Sequence, residues 1–336
     1  MNRLLARLWQ FLRRLFRRKV EPGRFEAGTK GSWKGWLESA PLVVPRRDYL
    51  VYVPSGHSRW RRAPVLVLCH GCKQTPEEIA AASRITDFAD ARGWIVLLPR
   101  QKESANPWRC WNWFDRRTAA GTGESAILMA QLESVQHAYR ADARRVVVAG
   151  MSAGGALAAA MSLHHADAVR GVFVHSGLPC GAASTPATAL RVMQRGPDAD
   201  TDAIARDARR AAPTELRLPL CVVHGEGDDV VAPVNAIALV RQYLRLNDHP
   251  ALARPLPNGA TDGLPPPDRE ARETLPGSRA VHTRDWLDGE RLVVRYVSIE
   301  GLAHAWSGGD AQYAYNDPEP PPATEILARF AAEVAG

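Results

Sequence analysis

Cysteine is scarce, with five residues among 336. The odd count and low density exclude a scaffold held together by disulfides. No apolar run is long enough to span a bilayer. None near the start matches the apolar core of a secretory signal either, since Leu8 to Leu12 is short and interrupted by Gln10. Zinc-type ligand pairs are lacking: Cys69 and Cys72 form a C-x-x-C, but no second pair of suitable spacing accompanies them, so no metal is expected. Acidic residues are absent from positions 1–20, which hold Arg3, Arg7, Arg13, Arg14, Arg17, Arg18 and Lys19. The formal charge of +7 belongs to that tail, because the rest of the chain carries as many acids as bases. A body without a broad positive excess does not suit tracking a phosphate backbone, so nucleic acid is not an expected partner.

What the tail does have is helical amphipathicity. At 100° per residue Leu4, Leu5, Leu8, Trp9, Phe11, Leu12, Leu15 and Phe16 share one half of the wheel and the arginines share the other. The pattern predicts a basic amphipathic helix over 1–20, with residues 1–19 suited to an anionic membrane or a particle surface. Docking of the helix on its own domain is the alternative.

Beyond a linker expected at 21–47, 46% hydrophobic residues suffice for one large core over 48–336. Short Val-, Ile- and Leu-rich runs alternate with helical patterns, the mark of a mostly parallel sheet with helices on both faces. The predicted strands are 49–53, 65–69, 94–98, 145–149, 172–175, 220–224 and 292–299. Helices are expected over 76–92, 123–139, 153–165, 233–246 and 323–334. Two stretches break the alternation and read as insertions. The first, about 177–215, holds short helical pieces after Gly177-Leu178-Pro179; the second, about 247–280, is rich in Pro, Gly and charge and reads as an irregular surface excursion.

The strongest chemical signal is Gly150-Met151-Ser152-Ala153-Gly154, set between a strand and a helix that begins with small residues. A serine hydroxyl is a weak nucleophile at neutral pH, so it must sit on a sharp turn within reach of a base, and glycines two residues away on either side allow that crowded backbone. An acid and then a histidine should follow, each in a loop after a later strand. His304 fits the second position, in Gly301-Leu302-Ala303-His304-Ala305-Trp306. Asp228 is the preferred acid, while Asp229 and Glu226 remain rivals that spacing does not separate. The negative charge of a tetrahedral intermediate needs preorganised donors. The Ala153 amide supplies one in this reading, and the Cys72 amide, in the turn after strand 65–69, supplies the other. A disulfide from Cys72 to Cys110 would brace that turn; two unconnected thiols are the alternative.

In order and content, HGCKQT, SANPWRCWNWF, GMSAGG, HSGLPCGAA, HGEGDDVV and GLAHAWSGG together resemble the poly(3-hydroxybutyrate) depolymerase-like esterases, from about Asp48 to the C-terminus. The resemblance implies an α/β-hydrolase fold and a serine esterase that needs no cofactor. Its substrate would be hydroxyalkanoate polymers, their oligomers or related carboxylic esters. The resemblance supports Ser152, Asp228 and His304 as triad and Cys72 near the oxyanion. A feruloyl or acetylxylan esterase is the second enzymatic reading, since these share the triad and differ in the groove. A non-catalytic surface-binding protein on a hydrolase fold is the reading from another class. Trp108, Trp111, Trp113 and Trp306 are candidates to contact the acyl or alcohol part. Family resemblance points to an extracellular site of action, whereas the missing signal-like stretch points to the cytoplasm or the periphery of a membrane or granule.

Overall fold

The computed structural model describes residues 21–32, 46–198, 200–211, 217–254, 263–274 and 279–336. The tail expected to be helical at 1–20 lies outside the described residues. At the centre are five short strands with every residue buried: β3 (Val65–Cys69), β4 (Ile95–Pro99), β5 (Val146–Met151), β6 (Gly171–His175) and β7 (Leu220–Gly225). A strand buried on both faces can be apolar at every position, which is why these read as unbroken Val/Ile/Leu runs. With β10 (Arg291–Ile299) they form six parallel strands in the order β4-β3-β5-β6-β7-β10. Antiparallel pairs extend each side: β1 (Arg24–Gly31) and β2 (Arg46–Val53) beyond β4, β9 (Ala280–Asp288) and β8 (Arg269–Thr274) beyond β10.

Side chains alternate between two cores. Val65, Val67 and Cys69 face the first, together with α4 (Gly123–Tyr139), α5 (Ala153–His164) and α8 (Val234–Leu246). Leu66 and Leu68 face the second, with α1 (Pro76–Ala82), α2 (Ile85–Arg92) and α9 (Ala323–Ala335). Each fully buried Val, Leu or Ile contributes about 1.5–3 kcal/mol relative to its exposed state.

Several expectations need correction. The helix expected over 76–92 is two helices, because Arg84 takes a left-handed conformation (φ 54°) and Ser83 turns back onto its own Ile79 carbonyl. Residues 24–31 are not a linker but the sheet's edge strand, half exposed and therefore without a hydrophobic signature. The end of the excursion expected at 247–280 is β8, whose Arg-Glu-Ala-Arg-Glu-Thr is exposed throughout. A charged edge strand discourages pairing with another chain, and that charge is also what hides it from a hydrophobic pattern. The four-residue helix α3 (Arg116–Ala119), capped by Asp115, was not expected. Within the stretch expected to be an insertion, about 177–215, the described residues include two short helices, α6 (Pro186–Arg195) and α7 (Thr201–Ala211).

Connections leave β3 for β4 on one side and later return to β5 on the other. The C-terminal ends of β3 and β5 therefore diverge at a switch point, where open α/β sheets form their crevice. Helix α5 closes on this point through glycine: a Cβ on Gly154 would lie 2.3 Å from the Cys69 carbonyl oxygen and 2.5 Å from that of His70. Gly154→Ala is expected to cost about 1–3 kcal/mol by overpacking. Gly93→Ala, where a Cβ meets nothing within 4 Å but φ is 71°, should cost about 1 kcal/mol by backbone strain alone. Urea unfolding of both variants checks this ranking, and a Gly154→Ala protein as stable as its parent would contradict the close approach.

Candidate active site

Ser152 stands at the junction of β5 and α5 with φ 56° and ψ −125°, a conformation that costs a non-glycine residue about 1–3 kcal/mol. Its amide donates to the His175 carbonyl on β6 at 2.9 Å, which holds the turn. A Cβ on Gly150 would fall 2.3 Å from the Gly154 carbonyl oxygen, so the glycine spacing noted in the sequence is a steric requirement of the turn.

His304 follows β10, and its Nδ1 lies 2.8 Å from Asp228 Oδ2. Asp228 follows β7 and also accepts from the Val230 and Val231 amides at 3.1 and 2.8 Å. Burial pushes the Asp228 carboxyl up, but the hydrogen bond to His304, the electrostatic pull of the His304 and His224 rings and the Val231 amide outweigh it and hold the group below its ordinary value. The carboxylate is thus ionised and only accepts, so His304 Nδ1 is the donor in their bond. Neither rival acid competes: Glu226 accepts from Ser298 Oγ at 2.9 Å, and Asp229 is exposed.

The turn after β3 is built to leave one amide free. Gly71 N–H donates to Gln74 Oε1 at 2.8 Å and Lys73 N–H to the Trp108 carbonyl at 2.7 Å. Between them, the Cys72 amide has no partner among the described residues. Ala153, the first residue of α5, likewise presents an orphan helix-terminal N–H. Cys72 is disulfide-bonded to Cys110, tying this turn to the loop that carries Trp111. Trp111 Nε1 donates to the His70 carbonyl at 3.0 Å, and Gln101 N–H donates to His70 Nε2 at 3.2 Å. The turn is therefore fixed from three directions.

Gly71, Cys72, Met151, Ser152 and His304 line one small pocket of about 60 Å³, closed by Met193, Val230 and Tyr315. The four tryptophans do not share it. Trp111, Trp113 and Trp306 are buried, Trp306 stacking on His175 and donating through Nε1 to Thr324 Oγ1 at 3.1 Å. Contrary to expectation, these three rings serve as core and offer no face to a substrate. Trp108 alone is open to solvent, 68% exposed at the rim of the Cys72 turn. Sequence spacing missed the buried His70, His175 and His224, and also Met193 and Tyr315, which no motif flanks. His224, four residues before Asp228, carried the one local signal available.

Comparison with known proteins gives the family and the fold. The model of the family described as "Esterase PHB depolymerase" matches residues 47–254, which leaves His304 to be placed by the structure. The poly(3-hydroxyalkanoate) depolymerase C of Paucimonas lemoignei is 29% identical over 196 residues, covering 57% of this chain and 46% of that protein. Feruloyl esterase B of Neurospora crassa is 28% identical over 188 residues, 53% of this chain and 63% of that one. The chain thus spans about half to two thirds of the length of these relatives. Among solved structures, the acetyl xylan esterase from Aspergillus awamori superposes with a TM-score of 0.64 at 18% identity, over 77% of this chain and 89% of that one. An S-formylglutathione hydrolase from Agrobacterium tumefaciens gives 0.53 at 14% identity, over 95% and 98%. These two likenesses identify the α/β-hydrolase fold.

Burial lowers the His70 imidazole to about 4, with the Arg109 and Arg100 charges adding to the effect; burial and the neighbouring His224 and His304 lower His175 to about 3. In the unfolded chain both protonate near pH 6.5. Below that pH the unfolded state binds more protons, so stability that is complete above pH about 6.5 is lost as the pH falls toward the folded-state values. The loss is up to about 1.4 kcal/mol per pH unit for each group. The urea midpoint is expected to drop between pH 7 and pH 5, and His175→Phe, which keeps a ring on Trp306, should make that drop shallower. A midpoint that stays level over this range would show that these histidines are not held neutral.

Proposed function

The chain belongs to the esterase PHB depolymerase family, and on that premise we propose that it is a serine carboxylic-ester hydrolase working through an acyl-enzyme on Ser152. The observation that carries this reading is the pocket where Ser152 and His304 meet the unpaired Cys72 amide, with His304 oriented by Asp228. His304 Nε2 takes the Ser152 proton as Oγ attacks the ester carbonyl. The Cys72 and Ala153 amides receive the oxyanion, Asp228 holds the tautomer and balances the imidazolium, and His304 returns the proton to the departing alcohol. Water, activated by the same imidazole, then releases the acid. No step calls on a cofactor.

The substrate we propose is a hydroxyalkanoate polyester or its oligomers. A pocket of about 60 Å³ with Met151, Met193, Val230 and Tyr315 on its walls suits a short apolar acyl unit. Val230 on its wall is partly exposed, as are Val234 and Leu190, the latter one helical turn from Met193 on α6, and exposed Trp108 adjoins the Cys72 turn. This apolar border suits an extended polyester chain better than a sugar. The composition of residues 1–19 supports a further part of the proposal: the chain is held at an anionic membrane or particle surface.

Ser152→Ala is expected to lower the hydrolysis of p-nitrophenyl butyrate by at least about a thousandfold and to abolish labelling by a fluorophosphonate. The parent protein should release 3-hydroxybutyrate from its oligomers faster than ferulate or acetate from xylan fragments. Undiminished turnover in Ser152→Ala would reject the nucleophile, and the reverse substrate order would assign the groove to plant-polysaccharide esters.

A further inference from the structure

The end of the sheet opposite Ser152 carries a surface that the esterase chemistry does not use. Ser152, Asp228 and His304 all follow the C-terminal ends of parallel strands. Strand β2 runs antiparallel to β4, with Tyr52 opposite Val96, so its last residues reach the other end, where β4 begins. There the chain turns through residues 54–64 before entering β3. Within this turn Trp60 is 86% exposed, the most open large apolar side chain among the described residues. Arg59, Arg61 and Arg62 around it are exposed and form no ion pair with a carboxylate among the described residues.

The same end gathers further cations. Arg145, at the entrance to β5, donates to the Arg62 carbonyl at 2.7 Å, and Arg170, at the entrance to β6, donates to the Arg144 carbonyl at 3.0 Å. Arg92 and Arg140, both exposed, end α2 and α4 just before β4 and β5. Of the acids nearest the turn, Asp142 is occupied by Arg145 and by the Arg144 amide, and Asp90 by Tyr52 and the Ser55 amide, whereas farther along this end Arg170 has Asp167 before it and shares a cavity with Asp248, Asp288, Glu290 and Glu333, so the unopposed positive charge is that of the turn itself. The point where residues 1–20 join the domain also lies here, since the Glu21 carbonyl accepts from the Gly56 amide at 3.0 Å.

We propose that this end of the domain docks on an anionic lipid surface, with Trp60 entering the headgroup boundary, Arg59, Arg61 and Arg62 on the phosphates, and the Ser152 pocket turned to the water. An exposed indole gains from a boundary where its ring meets acyl chain and its N–H stays wet, and arginine stems can bury while their heads reach phosphate. Duplex nucleic acid would use the cations but offers an indole no apolar layer. The proposal rests in part on the reading of residues 1–19 as lipid-seeking: the tail enters at this same turn and would bring the domain down on this end. Its consequence is that substrate arrives from the aqueous side, not from the surface that holds the protein.

Sedimentation of the full chain with phosphatidylcholine vesicles, with and without phosphatidylglycerol, tests both readings separately. The double variant Trp60→Ala, Arg61→Ala should lower partitioning onto the anionic vesicles by about tenfold, and bound parent protein should hydrolyse p-nitrophenyl butyrate as fast as free protein. Reversing the tail charges (Arg13→Glu, Arg14→Glu, Arg17→Glu, Arg18→Glu) tests the tail alone. If the tail variant loses binding while the Trp60 variant partitions like its parent, the turn takes no part and this proposal is overturned, with the tail reading intact. If the Trp60 variant weakens and the tail variant does not, the turn stands and the tail reading falls. Equal weakening of binding to a DNA duplex by the Trp60 variant, or loss of turnover on vesicles, would also overturn the proposal.

Discussion

Everything at the candidate site hangs on one strained residue. Ser152 can stand with φ 56° only because β5 ends, α5 begins at once, and Gly150 and Gly154 clear the space around it. The strain is held in place by the sheet: the Ser152 amide is bonded to His175 on β6, and α5 is pressed against the end of β3. A relaxed turn would bury the hydroxyl under the helix. The strained one presents it at the switch point, where β3 and β5 part and the Cys72 turn lies alongside.

Around that turn the electrostatics follow from burial. Asp228 remains ionised in a nearly dry setting because two amides and His304 replace the water it has lost. His70, His175 and His224 are buried and held below their ordinary values, so they act as neutral hydrogen-bonding and stacking groups that add no competing positive charge. Among the histidines packed around Asp228, His304 is the one that opens onto the pocket with Ser152. In the proposed mechanism, proton transfer is thereby confined to a single imidazole.

The sequence made the central architecture readable because buried parallel strands need no alternation, and the positions of Ser152, Asp228 and His304 at strand ends follow from that reading. What it hid has physical reasons. Edge strands β1 and β8 are exposed and charged, so they lack the apolar signal by which strands are recognised. The break between α1 and α2 is set by one left-handed Arg84, a residue with no turn preference to announce it. Choosing Asp228 over Asp229 and Glu226 took three dimensions, since all three share one loop and only its fold turns a carboxylate toward His304. The tryptophans near the motifs misled for the same reason: a ring beside a catalytic loop can point inward, and Trp111 and Trp306 do.

Ser152 and His304 line one pocket but are not hydrogen-bonded to each other among the described residues, so the proposed meeting of Ser152 Oγ with His304 Nε2, with the Cys72 and Ala153 amides receiving the oxyanion, has to be seen at an occupied site. A crystal structure of the protein inactivated by a diethyl phosphonate tests it most directly. The phosphonyl oxygen is expected about 2.7–3.1 Å from both amide nitrogens, with phosphorus bonded to Ser152 Oγ and the His304 ring alongside. An adduct whose phosphonyl oxygen points to solvent, with both amides unbonded, would contradict the account.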